Sequence, residues 1–198
     1  MPPGLVLATA NPGKIYEFRA LLDGLGYEIR TLLDHPDVTL PPEGTVSYAD
    51  NARGKARAAA AGTGLLAVGD DSGLEVLALG GRPGIASARY GGPGLTDAER
   101  VERLLTELSG LTLRAARFRC VLALVAPWGE TAVVEGVTDG VLTEVPRGVA
   151  GFGYDPIFLV PALGRTLAEL SPAEKHGVSH RGRAVAAARP LLTRWGRR

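Results

Sequence analysis

Cysteine is almost missing from this chain of 198 residues, and the single Cys120 excludes both an intramolecular disulfide and a cysteine-based zinc centre. Cys120 lies in the apolar run RFRCVLALV, where a thiol packs as a small hydrophobe rather than acting as a nucleophile. No apolar run approaches the ~20 residues of a membrane span. No basic segment precedes a long apolar one at the N-terminus, so no secretory leader is expected. An excess of one charge is lacking too. The net charge of +1 provides no global field to recruit nucleic acid or an anionic membrane, and basic and aromatic residues do not interleave as they do in RNA-binding surfaces. Lysine is scarce: nineteen of the 22 basic residues are arginine, leaving Lys14, Lys55 and Lys175. Arginine and lysine are not interchangeable where a compact point charge is needed. Lys14 and Lys175 each sit beside other polar residues that suit a site, whereas the scarcity of lysine does not by itself single out Lys55.

What is present is an ordinary globular composition, 45% hydrophobic and 22% charged, in a chain long enough for one sizeable core. We read residues 1–198 as a single domain without a separable linker, and a cytoplasmic protein as the default. Residues 4–9 form a first buried strand. Asn11 caps a helix with Pro12 at its first position and Ile15, Phe18, Leu21 and Leu22 as its apolar stripe. Tyr27–Leu33 is a second strand. After the proline-rich loop DHPDVTLPPEG, Thr45 caps a helix over about 46–61, with Val46, Ala49, Ala52, Ala56 and Ala59 buried. A third strand, Leu65–Val68, ends in Asp70 and Asp71. Thr96 and Glu99 form a capping box for a third helix, Leu111–Val125 and Thr131–Val141 make a long hairpin, Ser171 and Glu174 form a second box, and Ser179 starts the last helix. Strands alternating with helices, then a hairpin, predict an α/β protein with a mixed sheet.

Five segments carry candidate chemistry. VGDDSGLEVLALGGRPGIASARYGG delivers paired carboxylates, Asp70 and Asp71, beside a glycine-rich loop with Arg82 and Arg89. That arrangement suits magnesium and phosphate, and the alternative is a surface turn with solvated charges. ATANPGK joins a strand to a helix N-terminus, which attracts phosphate through free amides and the helix dipole, with Lys14 in the first turn. GxxxxGK[ST] is absent, so this is not a P-loop. Glu17 can orient Lys14 or form a surface ion pair. Glu43, stiffened by Pro41 and Pro42, can complete a hard-oxygen site with Asp70 and Asp71. GFGYDPIF offers Phe152 or Tyr154 for stacking on a base, with Gly153 allowing close backbone approach and Asp155 a turn cap or ligand acceptor; the alternative is a tight turn whose aromatics belong to the core. EKHGVSHRGRA adds Lys175, His180 and Arg181 as donors. His176 is a weaker candidate, and His35 reads as loop surface.

Taken in order, ATANPGKIYEF, EGTVSYADNA, GDDSGLEVLALGGRPGIASARYGG, RFRCVLALV, GFGYDPIF and EKHGVSHRGRA resemble the motifs of the inosine triphosphate (XTP/dITP) pyrophosphatase family, from about Leu5 to about Ala184. The departures are small: Ala10, where glycine or serine is common, and a compact turn at Pro127–Glu130. The resemblance implies an elongated α/β fold, with a central mixed sheet flanked by helices and two lobes enclosing an active-site cleft. It implies a homodimer, and hydrolysis of ITP, dITP and XTP to the monophosphate and pyrophosphate with Mg2+. On the matching motifs, Thr9, Ala10, Asn11, Pro12, Gly13 and Lys14 would bind the triphosphate. Glu43 and Asp71 would hold magnesium, with Asp71 also the proton acceptor, alone or in a network with Asp70. Ser72, Phe152, Gly153, Tyr154, Asp155, Lys175, His180 and Arg181 would contact the nucleotide. Two rivals are a pyrophosphatase of the related Maf type, which the SHRG segment beside GFGYDPIF disfavours, and a nucleotide-binding regulator without turnover, which has no need of three acids at one site.

Overall fold

The computed structural model describes residues 1–197; Arg198, read with Arg197 as a solvated tail, lies outside the described residues. Its strands are β1 (Gly4–Leu7), β2 (Glu28–Thr31), β3 (Leu66–Val76), β4 (Pro83–Gly84), β5 (Ala115–Val125), β6 (Thr131–Leu142), β7 (Phe158–Val160) and β8 (Arg165–Thr166). Its helices are α1 (Pro12–Leu22), α2 (Tyr48–Thr63), α3 (Asp97–Glu107), α4 (Pro172–Val178) and α5 (His180–Trp195). The eight strands form one sheet in the order β2-β1-β3-β5-β6-β7-β8, with β4 paired to β3 off that path. β1 runs parallel to both neighbours, whereas β4 is antiparallel to β3, and β7 to β6 and β8, so the sheet is mixed as expected.

The chain forms two compact units. The first holds residues 1–71, 120–136 and the described residues from Arg181 onward; the second holds residues 72–119 and 137–180. In the first unit the period-2 alternation of strand side chains sorts the core into two layers. Leu5, Leu7, Leu66, Val68 and Cys120 pack with Phe18 and Leu22 of α1 and with Ala184, Ala188, Leu192 and Trp195 of α5. The intervening residues Val6, Ala8, Ala67, Val121 and Ala123 pack with Ala52, Ala56, Ala59 and Ala60 of α2. In the second unit, Leu74, Val76 and Phe118 join Val101, Leu104 and Leu108 of α3 and the apolar residues of the 154–170 segment.

Gly69 explains why α2 is lined with alanine. A Cβ at Gly69 would lie 2.1 Å from the Ala52 carbonyl oxygen and 2.8 Å from the Ala56 nitrogen. The helix backbone therefore rests directly on the strand. Gly69→Ala is expected to push α2 away and to cost about 1–3 kcal/mol by overpacking; a urea midpoint equal to that of the parent would contradict this contact.

Several local expectations hold. Asn11 accepts from the Lys14 amide at 3.0 Å with Pro12 at the first helical position, and the boxes at Thr96 and Ser171 are both formed. Others fail: β2 spans Glu28–Thr31 rather than 27–33, and β5 starts at Ala115 rather than Leu111. Ser47, not Thr45, caps α2 by accepting from the Asp50 amide, so the helix starts at Tyr48 and Val46 is 94% exposed rather than buried. The third strand does not stop at the acids. β3 runs on to Val76, which puts Asp70 and Asp71 in mid-strand. Serine two residues beyond threonine is an equally good cap, and Ser72-Gly73 looks like a turn only until pairing with β4 carries the strand past it.

Candidate active site

Asp70 and Asp71 are 1% and 4% exposed, which removes the reading of a solvated turn. Their neighbours in β3 already assign them to opposite faces. Asp70 follows Val68 onto the α1/α5 side, and Asp71 follows Ala67 and Gly69 onto the α2 side. Each acid therefore meets a different set of partners.

Asp70 is ion-paired with Lys14 from the first turn of α1, and the Cys120 thiol donates to its Oδ2 at 3.3 Å. Burial alone would push its carboxyl up. The cations of Lys14 and Arg181 outweigh that and hold Asp70 well below the usual carboxylate range. The same surroundings, burial first and then the negative charge of Asp70, push the Cys120 thiol far up. This agrees with Cys120 as core and not nucleophile. Arg181 donates to Glu17 Oε2 at 2.5 Å, lies 5.7 Å from the Phe18 ring centroid and is itself buried. Glu17 is thus not the surface ion pair that the sequence allowed. It is buried and pairs with Arg181.

Asp71 faces α2. Its Oδ2 accepts from Asn51 Nδ2 at 2.9 Å, and its Oδ1 lies 3.5 Å from Lys55 Nζ. Burial raises the Asp71 carboxyl against the lowering effects of Lys55 and Asn51, and the nearby Glu43 adds to the rise. Lys55 Nζ also donates to Glu43 Oε1 at 2.5 Å and to the Asp70 main-chain oxygen at 2.8 Å. Burial disfavours the charged lysine, but Glu43 and the two aspartates overcome it and Lys55 is held more firmly protonated than usual. Two carboxylates and a carbonyl oxygen thus converge on one cationic centre, the donor chemistry that a hard divalent cation takes. Among the described residues, no cluster of three or more His, Cys, Asp or Glu side chains is assembled to hold a metal.

The two residues the sequence reading missed, Asn51 and Lys55, are one helical turn apart and next to the stripe Ala52, Ala56, Ala59. Polar side chains bordering a small-residue stripe that packs on a strand are the signal that could have found them. Upstream, Thr9 is buried and its Oγ1 accepts from the Asn11 amide at 3.2 Å. Ala10 and Asn11 are exposed, and Pro12, also exposed, and Gly13 open α1. Lys14 and the α1 N-terminus are thereby placed with Asp70 in one unit.

In the second unit, Asp155 Oδ2 accepts both from the Phe152 amide at 2.9 Å and from Lys175 Nζ at 2.5 Å, and Lys175 Nζ lies 5.3 Å from the Phe152 ring centroid. Gly151 makes room for this knot: its φ is +78°, and a Cβ there would lie 2.1 Å from Asp155 Oδ2. Tyr154 is buried and donates to the Ser87 carbonyl at 3.0 Å, so it is tied into the core, whereas Phe152 is half-buried. The Gly153 amide donates to Asp97 at 2.7 Å. His180 stacks on Phe118 with centroids 4.5 Å apart and 11° between the planes. Ser72 is half-buried in β3. Phe152 and Gly153 also border a groove of about 700 Å³ against α3, which has no cationic lining and so is unsuited to phosphate. Arg82 is held by Glu107 at the end of α3, which Tyr90 also contacts, so it braces its own loop.

An α/β sheet that buries two adjacent acids against separate cations, beside a lysine-bearing helix N-terminus, defines a protein equipped for phosphate chemistry. The chain belongs to the Ham1 family, whose model matches residues 5–191, in agreement with the ordered motifs. It is 49% identical over 183 residues to a dITP/XTP pyrophosphatase of Geobacillus kaustophilus, covering 91% of this chain and 90% of the relative. It is 52% identical over 181 residues to one from Gloeobacter violaceus, with 91% and 90% covered. Among solved structures, a HAM1 protein from Coxiella burnetii is 41% identical with a TM-score of 0.87, over 97% of this chain and 99% of that one. A nucleoside-triphosphatase (dITP/XTP pyrophosphatase) from Mycobacterium abscessus is 45% identical with a TM-score of 0.74, over 96% and 99%.

Proposed function

We propose that this protein hydrolyses ITP, dITP and XTP to the nucleoside monophosphate and pyrophosphate, by attack of water on the α-phosphorus. Its kinship with dITP/XTP pyrophosphatases supports the substrate class. The observation that carries the chemistry is the opposed wiring of Asp70 and Asp71. Two adjacent acids whose surroundings drive their proton affinities apart can divide the work. Asp71, raised by burial, is the acceptor that orients and deprotonates the water. Asp70 stays ionised and anchors Lys14.

Glu43 and Asp71 would hold a magnesium ion, and its other ligands would be phosphate oxygens and water. When bound, the ion supplies charge neutralisation of the phosphates and stabilises the leaving pyrophosphate. Thr9, Ala10, Asn11, Pro12 and Gly13 offer main-chain and side-chain polar groups to the triphosphate, and Lys14 offsets its charge. Lys175, fixed by Asp155, lies at the Phe152 ring, on which the base would stack. Ser72, Gly153, Tyr154, His180 and Arg181 are assigned to the same nucleotide. Donors from His180 or Arg181 reaching position 6 of the base would favour an oxo group over the amino group of adenine, and such hydrogen-bonded sites discriminate by ~10⁴ or more. No helix among the described residues is long and apolar enough to cross a membrane. We place the protein in the cytoplasm as a homodimer of single-domain chains, a state that light scattering on the purified protein would check.

Incubation with ITP and magnesium should release pyrophosphate and not orthophosphate, with ATP turned over far more slowly. Orthophosphate as the first product would make the protein a phosphatase, and the absence of any product would leave a nucleotide-binding regulator. Loss of base stacking costs ~1–3 kcal/mol, so Phe152→Ala is expected to raise the KM for ITP about tenfold with kcat little changed. An unaltered KM would take the stacking role from Phe152.

A further inference from the structure

We propose that Asn51 is a positioning residue that sets the relative placement of Glu43 and Asp71; this rests on the reading of those two carboxylates as metal ligands. Its side-chain amide makes three bonds. Nδ2 donates to Asp71 Oδ2 at 2.9 Å and to the Gly44 carbonyl at 3.2 Å, while Oδ1 accepts from the Gly44 amide at 2.8 Å. Both N–H groups and the carbonyl of the amide are therefore engaged. Two of the bonds grip the residue that follows Glu43, on its N–H and its C=O. The third reaches Asp71 from the same rigid group. The proline-stiffened loop and the strand, which are far apart in sequence, are thus joined through one buried side chain.

The choice of oxygen matters. Asn51 occupies Asp71 Oδ2, and Lys55 approaches Oδ1. With Oδ2 committed, Oδ1 is turned toward the point where Glu43 Oε1 also converges. Lys55 draws the two carboxylates together by charge, and an arriving divalent cation competes with it for the same oxygens. Asn51 acts through a different oxygen and through the main chain, so its hold persists when the cation exchanges. Asn51 reaches Asp71 because α2 rests on Gly69, the residue two before Asp71 on the same face of β3. Aspartate at position 51 would repel Asp71, leucine could donate to nothing, and glutamine would misplace the amide by a methylene. Partners that orient metal ligands typically account for 10–100-fold in metal affinity.

The test uses Mn2+ as the probe, titrated into the whole protein with inosine 5′-(α,β-imido)triphosphate present, and free Mn2+ read by electron paramagnetic resonance. Asn51→Ala is expected to weaken Mn2+ binding by about 10- to 100-fold and to speed deuterium exchange at the Gly44 amide. Leu192→Ala, a core truncation far in sequence from these residues, is expected to lower the melting temperature without altering Mn2+ affinity, which separates positioning from general loosening. Should the truncated variant not fold, Asn51→Gln gives the same reading. Parent-like Mn2+ affinity in a folded Asn51 variant overturns the positioning role while the metal reading stands. A parent protein that binds no Mn2+ overturns the metal reading, and the proposal falls with it.

Discussion

Replacing Asp71 with asparagine is expected to lower kcat for ITP by about 10²–10⁴-fold, the range associated with a positioned acid or base. Stability should not suffer. Burial raises the Asp71 carboxyl, so its ionised form is disfavoured in the folded chain relative to the unfolded one. An amide removes that penalty, and the melting temperature should stay level or rise slightly at pH 7. The pH profile carries the same sign. In the metal-free protein the penalty is present above the raised value of Asp71 and is relieved as pH falls through it, so the melting-temperature advantage of Asp71→Asn should shrink in acid. Near-parent turnover by a folded Asp71→Asn variant would remove the residue from the mechanism.

Asp70→Asn should do the reverse. The ionised form of Asp70 is favoured in the fold by Lys14 and Arg181. Its contribution is present above the unfolded carboxyl value and is lost only as pH falls through its own, strongly depressed one. Asparagine removes the counter-charge while Arg181 stays buried and Lys14 loses its anchor. Breaking a buried pair from one side costs about 3–5 kcal/mol, which in a chain of this size lowers the melting temperature by about 6–20 °C. Calorimetry at pH 7 should show the drop, together with a higher KM for ITP. A melting temperature equal to the parent's would mean that Asp70 is not the counter-ion described. The two variants make a paired test: one change lowers turnover with little effect on stability, and the other mainly destabilises.

Much of the candidate site was legible because its residues are unusual for their neighbourhoods. Lys14 follows an Asn-Pro helix start in a chain poor in lysine, and adjacent aspartates end an apolar run. The capping boxes at Thr96 and Ser171 declared their helices through local chemistry alone. What escaped depends on contacts distant in sequence. Nothing near Ser72 announces that β4 will pair with β3 and carry the strand beyond the acids. Lys55 sits among alanines that look like any packed helix, and its importance comes from Glu43 twelve residues earlier and from the strand that follows. Val46 has the residue type for a core and fails only because capping by Ser47 begins the helix after it. The partner of Glu17 could not be read locally, since Arg181 joins it from the far end of the chain.

The assignment of Asp70 and Asp71 to their partners depends on parity along β3. Inserting or removing one residue between Val68 and Asp70 would turn each acid toward the other's surroundings, Asp70 to Asn51 and Lys55, Asp71 to Lys14 and Cys120. No residue of the site need be altered for catalysis to be lost. A change of two residues would restore the facing while shifting each acid by about 7 Å along the strand, out of reach of its cation. Length variation is therefore expected to be confined to loops such as Pro127–Glu130, and the segment from Leu66 to Asp71 is expected to keep its count of residues.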